Sequence, residues 1–400
     1  MRIFFLCQRV PFPPNRGDKI TTFNEIRHLS KQHDVHVFCL ADGKDDLENV
    51  PGLLPYAKSV TAIPYHPMVG KLRALIALFT GAPLSVAAFT DKKLQAAINQ
   101  ESSARRPDLL FVFSCNMAQF AAQYPDIPRV VQFGDLDSLK WDQYANRARG
   151  PMKWIYRAEN RRILRYERQV ASSFSHSLVC TPRERDDFER WIPGQPVSVV
   201  GNGVDIDYFQ PQGRAKTPAS MIFTGVMDYL PNADAVQWFC EEILPLVRTA
   251  VPHASFVICG SRPSKAVQDL AKIPGVTVTG FVPDVRTFLD AAEVFVAPLR
   301  IARGIQNKLL EAMAMELPCV STAAVWAATE IPQGQGGFAA DDPSDLAKQV
   351  IRLLTDPAMR SEVGKRGRTA VVERYAWATQ FQALDRVVAP FERGCVRTSE

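Results

Sequence analysis

The sequence predicts an α/β protein made of two doubly wound parallel-sheet domains, and three observations support this. The chain has 400 residues, which is more than one hydrophobic core usually holds. Short apolar runs rich in β-branched residues alternate with segments whose apolar residues recur at helical spacing. The alternation ends near residue 200 and starts again near residue 220. We therefore expect domains at 1–200 and 219–375, a linker at 201–218 and a final helical segment at 376–400.

Each element follows from these patterns in chain order. Strands are expected where an apolar run ends at a polar or glycine-containing loop, at 2–7, 35–40, 59–64, 109–113, 129–133, 177–181, 197–200, 220–224, 255–259, 276–280, 294–298 and 318–321. Helices are expected where the apolar spacing becomes helical, at 20–31, 69–79, 91–101, 117–124, 147–170, 183–191, 233–251, 285–292, 308–317, 343–354, 358–374 and 377–391.

Charge is distributed unevenly along the chain. The net charge is +5, but residues 1–200 hold 27 Lys and Arg against 20 Asp and Glu, whereas residues 201–400 hold 20 against 22. A basic first half predicts an anionic partner there, such as a membrane surface, a lipid phosphate or an acidic glycan. The eight cysteines form no CxxC pair, which is typical of buried thiols in a reducing compartment. No stretch resembles a signal peptide or a membrane span, so we expect a cytoplasmic protein.

The most informative stretch is the loop that follows the fourth strand of the second domain. It holds Arg300, Arg303 and Gly304, and Lys308 opens the next predicted helix. A helix N-terminus carries unpaired N–H groups and a partial positive charge, so cations around it predict a phosphate or diphosphate site. Glu311, one turn further on, is placed to accept the hydroxyl groups of a ribose. The simpler explanation for Lys308 and Glu311 alone would be a solvated surface pair.

A second candidate loop follows the first strand of the chain. Its sequence at 8–19 is QRVPFPPNRGDK, which places Gly17 where the backbone can approach a phosphate or a sugar closely. A rigid turn would explain the prolines alone. It would not explain Arg16, Asp18 and Lys19, which we expect to contact an acceptor.

Two aspartates follow the strand expected at 129–133. Asp135 and Asp137 stand beside Ser138, and one of the two aspartates is expected to cap the next helix. The functional alternative is that both aspartates contact the reacting hydroxyl or the transferred sugar. Ser138 would then contact the acceptor.

Residues 147–170 are the most basic segment of the chain. Eight Arg and Lys side chains alternate there with aromatic and aliphatic ones, which predicts a cationic amphipathic helix. The plain explanation is a surface helix whose apolar stripe packs on its own domain. The alternative is docking to an anionic membrane surface, with residues 68–79 as a second contact. Nucleic acid is not an expected partner, because no known binding motif accompanies the charge.

Two segments resemble a known family. The sequence at 304–320, GIQNKLLEAMAMELPCV, is similar to the donor-site signature of GT-B glycosyltransferases of family four, and VVGNGVDIDYF at 199–209 resembles the segment that joins their two domains. Within the family, the chain looks most like the sugar transferases of bacterial exopolysaccharide loci associated with PEP-CTERM sorting and exosortases. The resemblance implies two Rossmann-like domains facing a central cleft, with the helix at 376–400 crossing back onto the first domain.

The resemblance also implies an activity. A retaining hexosyltransferase of this kind moves a sugar from a nucleotide-diphosphate donor, bound by the second domain, to a glycan or lipid-linked acceptor, bound by the first. Lys308 then stabilises the leaving diphosphate, and Glu311 contacts the ribose. The remaining donor-site residues implied are Gly17, Arg262, Arg300, Arg303, Gly304, Gln306 and Asn307.

Some positions depart from the family pattern. Arg303 stands where the first Glu of the E-x7-E signature is expected, and Val226 and Asn232 stand where relatives have Arg and Lys. The second domain has no Asp-x-Asp at a strand end, so we expect no metal ion and no other cofactor, with fixed cations stabilising the diphosphate instead. The alternatives are a catalytically inactive nucleotide-sugar-binding protein and an epimerase on the same fold. A dehydrogenase is disfavoured because no GxGxxG follows either first strand.

Overall fold

The computed structural model describes residues 1–148, 150–302 and 304–395. Predictions that involve Arg149, Arg303 or residues 396–400 therefore lie outside the described residues. The chain forms two compact units: Met1–Gly201 together with the segment from Phe381 onward, and Asn202–Gln380. Among the described residues, no helix combines the length and the apolar character needed to cross a bilayer.

The first unit is built on a seven-stranded parallel sheet with the spatial order β3-β2-β1-β4-β5-β6-β7. Its strands are β1 (Arg2–Cys7), β2 (Asp34–Asp42), β3 (Ser59–Tyr65), β4 (Leu109–Phe113), β5 (Arg129–Gly134), β6 (His176–Val179) and β7 (Val197–Val199). Its helices are α1 (Gly17–Leu29), α2 (Lys44–Glu48), α3 (Pro67–Thr80), α4 (Leu84–Ala88), α5 (Lys92–Ala104), α6 (Asp137–Arg147), α7 (Pro151–Ser173) and α8 (Pro182–Trp191).

The second unit is built on a six-stranded parallel sheet with the order β10-β9-β8-β11-β12-β13. Its strands are β8 (Ser220–Thr224), β9 (Ser255–Cys259), β10 (Val276–Gly280), β11 (Val294–Ala297), β12 (Cys319–Ser321) and β13 (Gly337–Ala339). Its helices are α9 (Leu230–Trp238), α10 (Leu244–Ala250), α11 (Lys265–Asp269), α12 (Arg286–Ala291), α13 (Asn307–Ala314), α14 (Ala323–Ala327), α15 (Pro343–Thr355) and α16 (Pro357–Tyr375), and α17 (Trp377–Cys395) follows.

Two parallel sheets flanked by helices confirm the predicted fold class. Strands β1, β8 and β11 are buried along their whole length. A parallel strand covered by helices on both faces has no polar side, and this is why these strands appear in the sequence as unbroken apolar runs.

Several predicted elements differ in detail. The helix expected at 117–124 is a 3-10 turn at Cys115–Phe120, and the helix expected at 233–251 is divided by a π-helical turn, Phe239–Ile243, between α9 and α10. The basic segment does not start a helix at 147. One helix, α6, ends there, and α7 begins at Pro151 after Gly150, whose φ is 64°. Proline suits the first position of a helix, where its missing N–H is not needed.

The segment expected as a linker is fastened to the second unit. Arg368 of α16 donates to the carbonyl oxygens of Ile206, at 3.3 Å, and Phe209, at 3.0 Å. The carboxylate of Asp290 accepts from the backbone N–H groups of Gln212, at 3.1 Å, and Arg214, at 2.8 Å. Residues 206–214 therefore belong structurally to the second unit.

Candidate active site

The carboxyl ends of β9, β8 and β11 are neighbours at one edge of the second sheet. Ligands of doubly wound sheets bind at this edge. The loops after β8 and β9 meet there through backbone, because Gly225 N–H donates to the Cys259 carbonyl at 3.1 Å. A Cβ added to Gly260 would lie 1.6 Å from the carbonyl oxygen of Gly225. Glycine is therefore required at position 260, because the backbones of the two loops lie too close together for a side chain there.

Lys308 is the second residue of α13, and its ammonium group lies against the loop after β8. Nζ donates to Oδ1 of Asn232 at 2.6 Å and lies 4.3 Å from the centroid of the Phe223 ring. A Cβ added to Gly225 would come within 3.0 Å of the same Nζ. The Asn232 amide is itself fixed, since its Nδ2 donates to the Val226 carbonyl at 2.9 Å. Asn232 thus orients Lys308 with a neutral group and leaves the positive charge uncompensated by that contact.

Glu311 lies one turn further along α13 and is half-buried. Burial lowers the pKa of Lys308 to about 7, against the influence of the Glu311 carboxylate. Burial also raises the pKa of Glu311 to about 7, against the influence of the Lys308 ammonium. Both groups therefore titrate near neutrality, in the range where a bound anion changes their protonation.

The start of α13 has the features expected of an anion site. Gly304 has a φ of 60°, in the left-handed region that favours glycine, and the side chain of the N-cap residue, Gln306, makes no capping hydrogen bond within the described part of the chain. The buried Oδ1 of Asn307 has no hydrogen-bond partner among the described residues. Gln306 precedes the helix, and its Nε2 donates to the Gly304 carbonyl at 3.5 Å. Arg303, predicted beside these residues, lies outside the described part of the chain.

The two described arginines predicted at this edge are both held by carboxylates. Arg300 binds Asp234 through Nε at 3.1 Å and Nη2 at 2.5 Å, and its guanidinium lies 5.1 Å from the centroid of the Trp238 ring. Arg262 Nε lies 3.3 Å from Oδ2 of Asp228. Their positive charges are therefore compensated by carboxylates in direct contact, whereas the group that accepts from Lys308 Nζ is the Asn232 amide.

In the first unit, Arg16 ends the loop after β1, and Gly17 and Asp18 open α1, so this helix begins three residues before the predicted start at 20. Asp18 pairs with Arg16 Nε at 2.7 Å and with Arg9 Nη1 at 3.0 Å. A Cβ added to Gly17 would meet no atom within 4 Å, so space remains beside the backbone.

Lys19 does not fit the predicted acceptor contact. Its side chain is buried, and Nζ lies 2.7 Å from Oδ1 of Asp46 in α2. The other carboxylate oxygen of Asp46 accepts from the N–H of Asp42, at the end of β2, at 2.9 Å. Because its amine is inaccessible and neutralised, Lys19 joins α1 to the segment after β2 and is removed from the acceptor surface.

The loop after β5 places Asp135 and Asp137 together but corrects two expectations. The residue before α6 is Leu136, and Asp137 is the first helical residue, so neither aspartate caps the helix. Ser138 is 1% exposed, and its N–H donates to Oε1 of Glu167 in α7 at 3.1 Å, so burial between α6 and α7 removes it from any acceptor surface. Asp137 faces Lys140 at 3.8 Å, and burial raises its pKa.

Sequence reasoning missed Glu184, whose carboxyl group interacts with that of Asp135. Burial, followed by the influence of Asp135, raises the pKa of Glu184 well above its ordinary value. Oε2 of Glu184 accepts from the Cys180 N–H at 3.1 Å, and the hydroxyl of Thr181 accepts from the Glu184 N–H at 3.1 Å. The spacing of Thr181 and Glu184 is that of a capping box, which was the available signal for this position.

No three His, Cys, Asp or Glu side chains within the described ranges are arranged to hold a metal ion. Metal-independent chemistry stays a prediction. Fixed cations and a bound metal ion can each stabilise the negative charge of a leaving diphosphate.

Two family models match the chain. The model described as Glycosyltransferase Family 4 matches residues 17–208, and the model described as Glycosyl transferases group 1 matches residues 218–356. Together they take in most of the chain: the first covers β2 to β7 of the first sheet, and the second covers β8 to β13, the whole second sheet.

Among curated proteins, the capsular polysaccharide biosynthesis glycosyltransferase CapM of Staphylococcus aureus is 27% identical over 124 residues, 30% of this chain and 32% of CapM. Alpha-maltose-1-phosphate synthase of Mycobacterium tuberculosis is 26% identical over 289 residues, 64% of this chain and 72% of the synthase. The chain thus spans about a third of the first relative and almost three quarters of the second.

Solved structures show the same fold at low identity. Sucrose-phosphate synthase of Thermosynechococcus elongatus superposes with a TM-score of 0.71 at 17% identity, covering 98% of this chain and 100% of that one. HepE of Anabaena, crystallised with UDP, superposes with a TM-score of 0.69 at 15% identity and the same coverage.

Proposed function

The chain is a glycosyltransferase with the GT-B fold, because both family models that match it describe glycosyltransferases, and we propose that it uses a nucleotide-diphosphate sugar held at the carboxyl edge of the second sheet. The observation that carries this proposal is the placement of Lys308. Its ammonium stands at the start of α13 beside the glycine backbone of the loop after β8, oriented by an amide. HepE, which shares the fold, has also been crystallised with UDP-glucose, and this supports the donor class.

The geometry suits stabilisation of a leaving diphosphate. As the sugar–oxygen bond breaks, negative charge grows on the diphosphate, and the N–H groups of α13 together with Lys308 oppose that charge. A diphosphate bound next to Lys308 favours its protonated form, which raises a pKa that burial has lowered. Glu311, one turn away, is the acceptor for ribose hydroxyls. No metal ion is needed in this scheme.

The acceptor is assigned to the first unit. We infer that Asp135 and Asp137, which follow β5, orient the acceptor hydroxyl, and that Arg16 and Asp18 bind the acceptor near Gly17. A glycan or lipid-linked acceptor in bacterial exopolysaccharide assembly is the proposed class, and transfer proceeds with retention of configuration. The similarity to CapM, a capsular polysaccharide enzyme, supports this class. The proposed location is the inner face of the plasma membrane, where such acceptors are presented.

A thermal-shift panel of nucleoside diphosphates tests the donor site. We expect one diphosphate to raise the Tm of the wild type, since a ligand that binds only the folded state stabilises it. Lys308→Met and Glu311→Gln should each lose most of that rise, while Arg262→Met, which removes an arginine already paired with Asp228, should keep most of it. A rise that is unchanged in Lys308→Met would contradict the proposed site.

A second candidate is a protein that binds nucleotide sugars without transferring them. It is favoured by the pairing of Arg300 with Asp234 and of Arg262 with Asp228, which leaves fewer free cations beside a leaving diphosphate. Incubation with the matching nucleotide sugar and a membrane extract containing acceptor lipids separates the two. A transferase releases nucleoside diphosphate and a glycosylated product, whereas a binder releases neither.

A further inference from the structure

Helix α3 of the first unit presents its large apolar side chains outward. Met68, Leu72, Leu75, Ile76 and Phe79 are 75%, 57%, 55%, 54% and 88% exposed, and their spacing places them on one face of the helix. The opposite face holds small residues, of which Gly70 and Ala77 are buried. A helix that only covers its own domain shows the reverse arrangement, with large apolar residues inside.

The exposure does not arise from a loosely attached helix. A Cβ added to Gly70 would lie 2.0 Å from the hydroxyl of Tyr65, so α3 packs closely on the end of β3. At its other end, Arg162 of α7 donates to the carbonyl oxygens of Ala77, at 3.3 Å, and Leu78, at 3.0 Å. Arg73 also donates to the Thr90 carbonyl. The outward direction of the apolar face is therefore fixed by the unit itself.

The helix α7, which contacts the end of α3 through Arg162, has a cationic exposed face. Its two carboxylates are both buried: Glu159 accepts from the N–H of Leu84 at 2.8 Å, and Glu167 accepts from the N–H of Ser138. The inward face of α7 thus carries its acidic residues, and its exposed face keeps the arginines, including Arg157, Arg161 and Arg165. Helix α3 has no acidic residue and adds the exposed Lys71.

We propose that the exposed face of α3 inserts into the surface of an anionic phospholipid bilayer, with the arginines of α7 contacting lipid phosphates. The 14 residues of α3 span about 21 Å, less than the ~30 Å hydrocarbon core, so the helix lies in the plane of the interface. The charge favours lipid over an apolar protein groove, because arginines without exposed carboxylates complement phosphates. This inference rests on the proposed function at one point: docking at a membrane brings the first unit to a lipid-linked acceptor.

Vesicle flotation of the full chain tests the proposal. We expect the wild type to float with vesicles of phosphatidylcholine and phosphatidylglycerol, and to float much less with phosphatidylcholine alone or at high salt. The double variant Ile76→Glu with Phe79→Glu should reduce the bound fraction by about tenfold. Leu54→Glu is the matched control: Leu54 is 55% exposed in the same unit but lies outside α3 and α7, and its variant should bind as the wild type does.

Three outcomes would overturn the proposal: no flotation of the wild type, equal flotation with neutral vesicles, or unchanged binding of the double variant. Light scattering that shows a wild-type dimer separated by the double variant would instead assign the face to a second copy of the chain. Cooperative thermal unfolding of every variant without ligand verifies folding. The thermal shift with the panel of nucleoside diphosphates separates the proposals, since lipid binding without any diphosphate response would remove the proposed function and leave the docking surface intact.

Discussion

Two lysines in similar sequence settings have different partners in the structure. Lys19 follows Arg16 and Gly17 at the start of α1, and Lys308 follows Gly304 at the start of α13. Lys19 is buried against the carboxylate of Asp46, whereas Lys308 is bound by the amide of Asn232. A carboxylate in direct contact neutralises a lysine within the fold, whereas an amide orients it without adding a charge. The opposing charge that acts on Lys308 is that of Glu311, one turn further along α13. The partner, contributed by a distant part of the chain, distinguishes the structural lysine from the candidate site.

The largest expected effect is on stability and concerns Lys19. Lys19→Met leaves the buried carboxylate of Asp46 without its cation, which should lower the free energy of unfolding by about 3 kcal/mol. The midpoint and slope of urea unfolding measure this loss. Adding Asp46→Asn to the same chain removes the unpaired charge and should restore part of the stability. If Lys19→Met is as stable as the wild type, the pair is not a structural bond.

The next effect is on ligand affinity and concerns Lys308. Lys308→Met should weaken binding of the matching nucleoside diphosphate by about 10- to 100-fold, equivalent to about 1.4–2.8 kcal/mol. Its unfolding free energy should change little or rise, because removing even a partly buried ammonium from water is costly. Isothermal titration of the wild type and of Lys308→Met with the nucleoside diphosphate gives the ratio of their affinities. A comparable loss of affinity in Lys19→Met would break the comparison, since that lysine is assigned no contact with the donor.

Asn232→Asp converts the partner of Lys308 into the kind of partner that Lys19 has. With a carboxylate beside it, the pKa of Lys308 should rise from about 7 toward its ordinary value. In the wild type, the protonated fraction of Lys308 falls as pH rises through 7, so diphosphate affinity should weaken from pH 6 to pH 8.5. In Asn232→Asp, affinity should be several-fold lower and nearly independent of pH over that range. Titrations across the range check both statements, and an identical pH profile would contradict the role given to Asn232.

The smallest effect concerns the first unit and Glu184. The pKa of Glu184 is raised in the folded state. Between the ordinary pKa and this raised pKa, the folded chain therefore binds more protons than the unfolded chain. The free energy of unfolding falls as pH rises through this range. Glu184→Gln removes the titration and should be more stable than the wild type at pH 8, by on the order of 1 kcal/mol, with a smaller difference at pH 5. Thermal unfolding at the two pH values measures this. A difference that grows toward acid pH would reverse the predicted sign.

The strands were the easiest elements to predict from the sequence. Arg2–Cys7, Leu109–Phe113 and Ser220–Thr224 lie at their predicted positions, because the buried strands of a parallel sheet need continuous apolar runs. Helix ends were less certain, since caps are set by local hydrogen bonds. Leu136, which precedes α6, contributes no capping bond at all.

The sequence predicts an anion site at the start of α13, and this stays a prediction. The structure places Lys308 at that helix start. Pairing could not be predicted, because Arg300 and Asp234 are 66 residues apart and Lys308 and Asn232 are 76 apart. The basic segment shows the same limit. Its arginines were visible in the sequence, but the burial of Glu159 and Glu167, which leaves the exposed face cationic, depends on contacts with α4 and α6.

A crystal structure with the matching nucleoside diphosphate tests the central claim most directly. We predict that a diphosphate oxygen lies within hydrogen-bond distance, about 3 Å, of Lys308 Nζ, with the ribose beside Glu311 and the Lys19–Asp46 pair unchanged. The assignment of the donor site would be contradicted by a diphosphate that binds beside Arg16 in the first unit while Lys308 Nζ keeps its hydrogen bond to Asn232 and does not contact the ligand.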